Sequence, residues 1–213
     1  FGFVGAAQPQ QSGMGAISVL LVMISITTLI GVIGAAGVAF GIAAAEFSSA
    51  RPWLRNVLGG ACGGLIIGAI VKLLGMDAFQ LLFGQAPGDI TGAFEGLLLG
   101  AAAGSGLWFG SRSAAPEMLR RSVISGAISG GVVGMLIPLM GGRLMGGSLA
   151  LLAENFPESR LRLDVLGGLF GEVKFGILTQ VMTAGLEGAV FIACVVGAMV
   201  LARRHFATRG AAT

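Results

Sequence analysis

Apolar positions in this chain do not alternate with polar ones. They come in long unbroken runs separated by short polar breaks. Five runs, 17–45, 56–75, 90–110, 122–140 and 175–202, reach the roughly 20 residues that carry a helix across about 30 Å of hydrocarbon. The first is longer than a bilayer requires, which predicts a tilted helix or one that extends past the membrane. The breaks at 46–55 and 111–121 are short and basic. The break at 76–89 holds a semi-apolar stretch, 78–83, expected to lie in the interface. The longest break, 141–174, runs from apolar 149–153 through charged 154–164 to apolar 165–170. It reads as an interfacial helix plus a loop, with a short re-entrant piece as the alternative.

This pattern predicts an all-α integral membrane protein with about five transmembrane helices. Residues 1–15 form an exposed tail and 16–50 a leading helix. Residues 51–112 form a first helical hairpin, and 113–204 a second with a long outer loop at 141–174. Residues 205–213 form a basic tail. Arg51 and Arg55, then Arg112, Arg120 and Arg121, then Arg203 and Arg204, fall on alternate connections. The positive-inside rule puts these on the cytoplasmic face, with the N-terminus outside. Trp53 and Trp108 fall at the same inner interface. Short loops and compact hairpins fit a bacterial inner membrane.

The two hairpins align with one another. Arg55 meets Arg121 at an offset of 121 − 55 = 66, and at that offset Val57 meets Val123 and Leu73 meets Leu139. Gly60, Gly64 and Gly68 then meet Gly126, Gly130 and Gly134. In the later helix of each hairpin, Thr91, Glu95 and Gly96 meet Thr183, Glu187 and Gly188 at an offset of 187 − 95 = 92. The difference, 92 − 66 = 26, is extra length in the 141–174 connection. Two same-direction hairpins related by an axis along the membrane normal are expected, as in parallel-repeat membrane proteins.

Glycines recur every fourth residue at Gly60, Gly64 and Gly68, at Gly126, Gly130 and Gly134, and at Gly92, Gly96 and Gly100. That spacing puts each row on one helix face, where small residues let two backbones approach closely. The rows resemble the glycine zippers of many unrelated membrane proteins. An acidic residue on a glycine-rich helix resembles the hairpin subunit of rotary ATPases, but that family's polar loop on the basic side has no counterpart here. The likeness covers short motifs and names no family.

Composition sharpens the picture. Apolar residues make up 55% of the chain and charged ones 11%, against about 25% charged in a soluble domain, too few to cover a core with a polar surface. The excess of basic residues lies in clusters beside apolar runs, with no basic stripe bearing aromatics, so nucleic acid is not an expected partner. The expected partners are the lipid bilayer and other membrane subunits or further copies of the chain. Cys62 and Cys194 lack metal-ligand spacing and are expected as small buried residues in the helix core. Phe1 reads as a processed or partial start, and no signal peptide is recognised within the sequence.

Glu95 and Glu187 are the sharpest chemical signals. A charge at mid-bilayer costs about 2.5 kcal/mol or more, so each is expected to face protein or water. One reading is a proton or cation site with Thr91, Thr183 and Lys72 nearby. The other is a structural hydrogen bond between helices, for example to Thr91 or Thr183. Lys72 is expected to snorkel to the interface, with pairing to Glu95 as the alternative. Arg143 and Lys174 could pair with Glu172 or lipid. Pro138 should kink its helix, and His205 belongs to the basic tail. A single histidine and the lack of a phosphate loop point away from an enzyme, and no cofactor or metal is implied. Three functions follow: a polytopic membrane subunit that packs through its glycine-rich helix faces within a larger membrane complex or oligomer, a small proton or cation channel or transporter using Glu95 and Glu187, or a membrane anchor of a larger protein.

Overall fold

A computed structural model describes residues 16–84, 88, 90–112, 117–155 and 163–210. Over these residues the chain is helical, without a strand. The elements are α1 (Ala16–Ala45), α2 (Pro52–Phe83), α3 (Ala93–Ser111), α4 (Met118–Leu139), α5 (Met145–Asn155), α6 (Asp164–Leu169) and α7 (Ile177–Gly210). Four stretches are long and apolar enough to cross a membrane: Ile24–Ala45, Pro52–Leu81, Met118–Leu139 and Ile177–His205. These are the marks of an all-α membrane protein. The fifth expected span, α3, is not among the four. Its 19 residues measure about 28 Å, but Glu95, Ser105 and a row of glycines dilute its apolar character. The tail at 1–15 and the middle of the charged stretch at 154–164 lie outside the described residues.

Chain chemistry sets the helix ends. Pro52 opens α2 at a position where its missing N–H costs nothing. The helix then runs straight through 76–83, expected as a separate interfacial stretch, because Asp77 alone cannot stop a helix. It ends at Gly84, which adopts φ 70° and returns its N–H to the Gln80 carbonyl. α4 ends sooner. Pro138 lies one residue from its C-terminus, so it helps terminate the helix instead of kinking it mid-span. Gly141, at φ 86°, then donates to Pro138 O while Gly142 donates to Ile137 O, the bond pair of a Schellman turn.

Successive long helices run antiparallel. Against α1, α2 brings Gly59 and Gly63 to Gly41. Against α3, it brings Gly60 to Gly100 and Gly64 to Gly96, each so close that a Cβ on either helix would collide with the facing backbone, and Gly68 to Gly92, where a Cβ on Gly68 would strike the Gly92 carbonyl. α4 crosses α3 with Gly106 on Gly126 and Gly110 on Ser122, and there Ser125 and Ser129 donate to Gly106 O and Ala102 O, at 2.8 and 3.0 Å. α7 closes on α4 with Gly188 against Gly130 and Ala184 against Gly134. Between these contacts, Val38, Ile42, Ala103, Leu107, Ile192 and Val196 form the buried centre.

One end of the bundle collects most of the described arginines, Arg143 being the exception. Arg203 of α7 pairs with Glu46 after α1, and Arg55 of α2 donates to the carbonyls of Glu46 and Ser48. Arg112 stacks over the Trp108 ring at 3.8 Å. Elsewhere, residues 24–30 of α1 are exposed on every side. Cys62 and Cys194 are exposed as well, contrary to the expectation of burial: Gly63 and Gly64 beside Cys62, and Ile192, Val195 and Val196 around Cys194, take the contact faces and leave the thiols outward.

Candidate functional site: the polar end of the bundle

At the end opposite the arginines, the intramembrane polar residues gather on one segment, 142–148, between α4 and the first turn of α5. The Schellman turn at Gly141 aims this segment back across the bundle. Glu95 meets it first. Ile90 to Gly92 are not helical, so Glu95 lies in the first turn of α3. Its buried carboxylate accepts the Gly92 N–H at 2.8 Å, the back half of a capping box, and the Arg143 N–H at 3.4 Å. A side chain at Gly142 would fall 2.7 Å from the same carboxylate, so only glycine leaves it room.

Glu187 meets the segment from α7. Its Oε1 accepts the Gly146 N–H at 2.9 Å, in the first turn of α5, where backbone donors lack helical partners. The two glutamates thus hold the same connection, three residues apart. Thr91 adds to this: its hydroxyl donates to Arg143 O at 2.8 Å and lies 2.9 Å from the Ser148 hydroxyl, while its N–H donates to Ser148 at 3.0 Å. Gln180 donates to Gly142 O at 3.5 Å. Thr183 differs. Its hydroxyl donates to Thr179 O and Gln180 O within its own helix and takes no part in the cluster. Neither glutamate draws on a threonine; backbone amides do that work.

Lys72 lies on the other side of Glu95. Its aliphatic stem covers Gly92, where a Cβ would strike Cδ. Lys72, Glu95 and Arg143 line one cavity of about 370 Å³, walled also by Ile90, Phe94 and Met140. Glu187 is not in its wall. The glycine rows are consumed elsewhere, in helix contacts within the chain. They are therefore not free to pack on partners.

Ser148, Gln180, Gly142 and the Arg143 backbone belong to the site and were not singled out from sequence. The pair Gly141–Gly142 after Pro138 was a usable signal for a tight turn. Ser148 and Gln180 carried none, because only the fold brings them within reach. Glu172 also found another role: it accepts from Leu178 and Thr179 N–H at 3.1 and 2.8 Å and from the Thr179 hydroxyl at 2.6 Å. The Thr179 hydroxyl and then its amide hold the Glu172 carboxyl below its ordinary value, and the charge caps the N-terminal end of α7. Among the described residues no cluster of histidine, cysteine and acidic side chains could hold a metal. No protein-family model, curated protein or solved structure matches the chain.

Proposed function

We propose that the chain is a polytopic membrane subunit: a five-crossing bundle of one leading helix and two duplicated hairpins that works as a rigid unit inside a larger membrane complex or oligomer. The supporting observation is that both helix pairs close through equivalent glycines. Gly64 faces Gly96 as Gly130 faces Gly188, and Gly68 faces Gly92 as Gly134 faces Ala184. These pairs follow the offsets 66 and 92 position by position. The antiparallel order through α3, with the arginine end shared by α1, α2 and α7, speaks for five crossings, the N-terminus outside and a cytoplasmic C-terminus. Intramembrane acids spent on backbone amides speak for structure over conduction. Contact with partners falls to α1. Its apolar side chains are exposed all round at 24–30, and Gly31 has nothing within 4 Å. Purification in mild detergent, with mass measurement of the intact particle, is the test. A solitary monomer with no companion chain would end this reading.

A proton- or cation-handling role is the second reading, favoured by the cavity that Glu95 shares with Lys72 and Arg143. Liposomes carrying Glu95→Gln with Glu187→Gln decide it: flux equal to that of the unsubstituted protein removes the role.

A further inference from the structure

We propose that the arginine end of the bundle binds anionic phospholipids of the leaflet it faces, in preference to zwitterionic ones. The sign of this end is fixed by the sequence. The breaks at 46–55 and 111–121 and the tail from Arg203 hold eight arginines and two carboxylates, Glu46 and Glu117, a formal charge of 8 − 2 = +6. The rest of the chain holds 13 − 8 = 5 cations and 10 − 2 = 8 acids, or −3. The positive excess therefore stands whichever side chains pair with one another. Both carboxylates are already engaged, Glu46 with Arg203 and Glu117 with Arg121 at 2.9 Å.

Placement suits headgroups. Arg51, Arg112 and Arg120 are exposed. Gly110 lies on Ser122, so Arg112 and Arg120, each two residues beyond that contact, stand at one place on this end. Arg112 stacks over the Trp108 ring at 3.8 Å, which occupies one face of its guanidinium and leaves the N–H edge for a phosphate oxygen. The arginines come from the ends of α2, α3, α4 and α7, a spread that matches a layer of headgroups. Phe47, Trp53 and Phe109 are exposed at the same end, apolar surface that a lipid covers and a soluble acidic protein does not. Clusters of about four to eight basic residues flanking membrane helices attract anionic lipid, and each adds to the attraction.

The test uses the whole chain in phosphatidylcholine nanodiscs doped with phosphatidylglycerol, released into a mass spectrometer. Retention of phosphatidylglycerol under conditions that strip phosphatidylcholine is expected, with the preference fading at high salt. Arg51→Gln, Arg112→Gln and Arg120→Gln together should lower that preference about tenfold or more, and lysine at the same three positions should keep most of it. Lys174→Gln, which removes a charge outside this end, should leave it unchanged. Equal retention of the two lipids by the unsubstituted protein overturns the proposal without any variant. So does a triple glutamine variant that folds and keeps the full preference, or an equal loss in Lys174→Gln. Displacement of phosphatidylglycerol by soluble polyglutamate, but not by sodium chloride of the same ionic strength, would reassign the surface to an acidic protein segment; the same result with inorganic phosphate would reassign it to a free anion. Either overturns the lipid.

Discussion

Glu172 shows how one side chain fixes a helix start that apolarity leaves undefined. Run 175–202 begins in sequence at no particular residue, yet α7 begins where the Glu172 carboxylate reaches Leu178 and Thr179. Its folded pKa lies below the ordinary value, so its contribution is fully present above that value and is lost as pH falls through the folded pKa. Amide-exchange protection of Leu178 and Thr179 should therefore hold at neutral pH and drop in the acid range. In Glu172→Gln it should be lower at neutral pH and nearly flat with pH. Glycines divide just as sharply. Gly31→Ala meets open space and should be neutral or gain up to about 1 kcal/mol from helix propensity. Gly64→Val drives a side chain into the Gly96 carbonyl and should cost at least about 1–3 kcal/mol. Unfolding of both variants in the same detergent gives the comparison.

At the scale of elements, the contrast between α2 and α4 follows from one aligned position. At the proposed repeat offset, 138 − 72 = 66, Pro138 falls opposite Lys72. Lysine continues a helix and proline does not, so α2 runs on past Gly75 while α4 turns at Gly141. That turn delivers Arg143 to Glu95 and Gly146 to Glu187. Gly141→Ala, forced to φ 86°, should cost about 1–2 kcal/mol and loosen 142–148, read as faster proteolysis there in detergent. The apolar runs made the existence of the long helices legible in the sequence, and residue spacing made the glycine faces legible. Helix ends were less so. Asp77 looked like a break and was not, because a lone charge near a membrane surface can reach water without ending the helix. The polar site was half legible: Glu95 and Glu187 stood out as rare intramembrane charges, but their partners are backbone amides, which no residue type announces.

For the whole molecule, the decisive expectation is sidedness. In a background with Cys62 and Cys194 replaced by serine, single cysteines at Ser48, Arg112 and Arg204 should react with an impermeant thiol reagent from one face of sealed vesicles. A cysteine at Gly171 should react from the other. Labelling of Ser48→Cys and Arg112→Cys from opposite faces would leave α3 outside the set of crossings and undo the five-helix order.

The helix contacts also differ in what joins them. Where α2 meets α3 and α4 meets α7, glycine backbone approaches glycine backbone, with the side chains of Lys72, Met135 and Ile192 packed beside it. Between α3 and α4, serine hydroxyls add to a close backbone approach. Ser125 and Ser129 each divide one hydroxyl between a carbonyl of α3 and a carbonyl of their own helix. Each can therefore release its neighbour without losing every acceptor. These two serines thus join the two glycine-packed helix pairs into one body, with neither of their hydroxyls left unsatisfied.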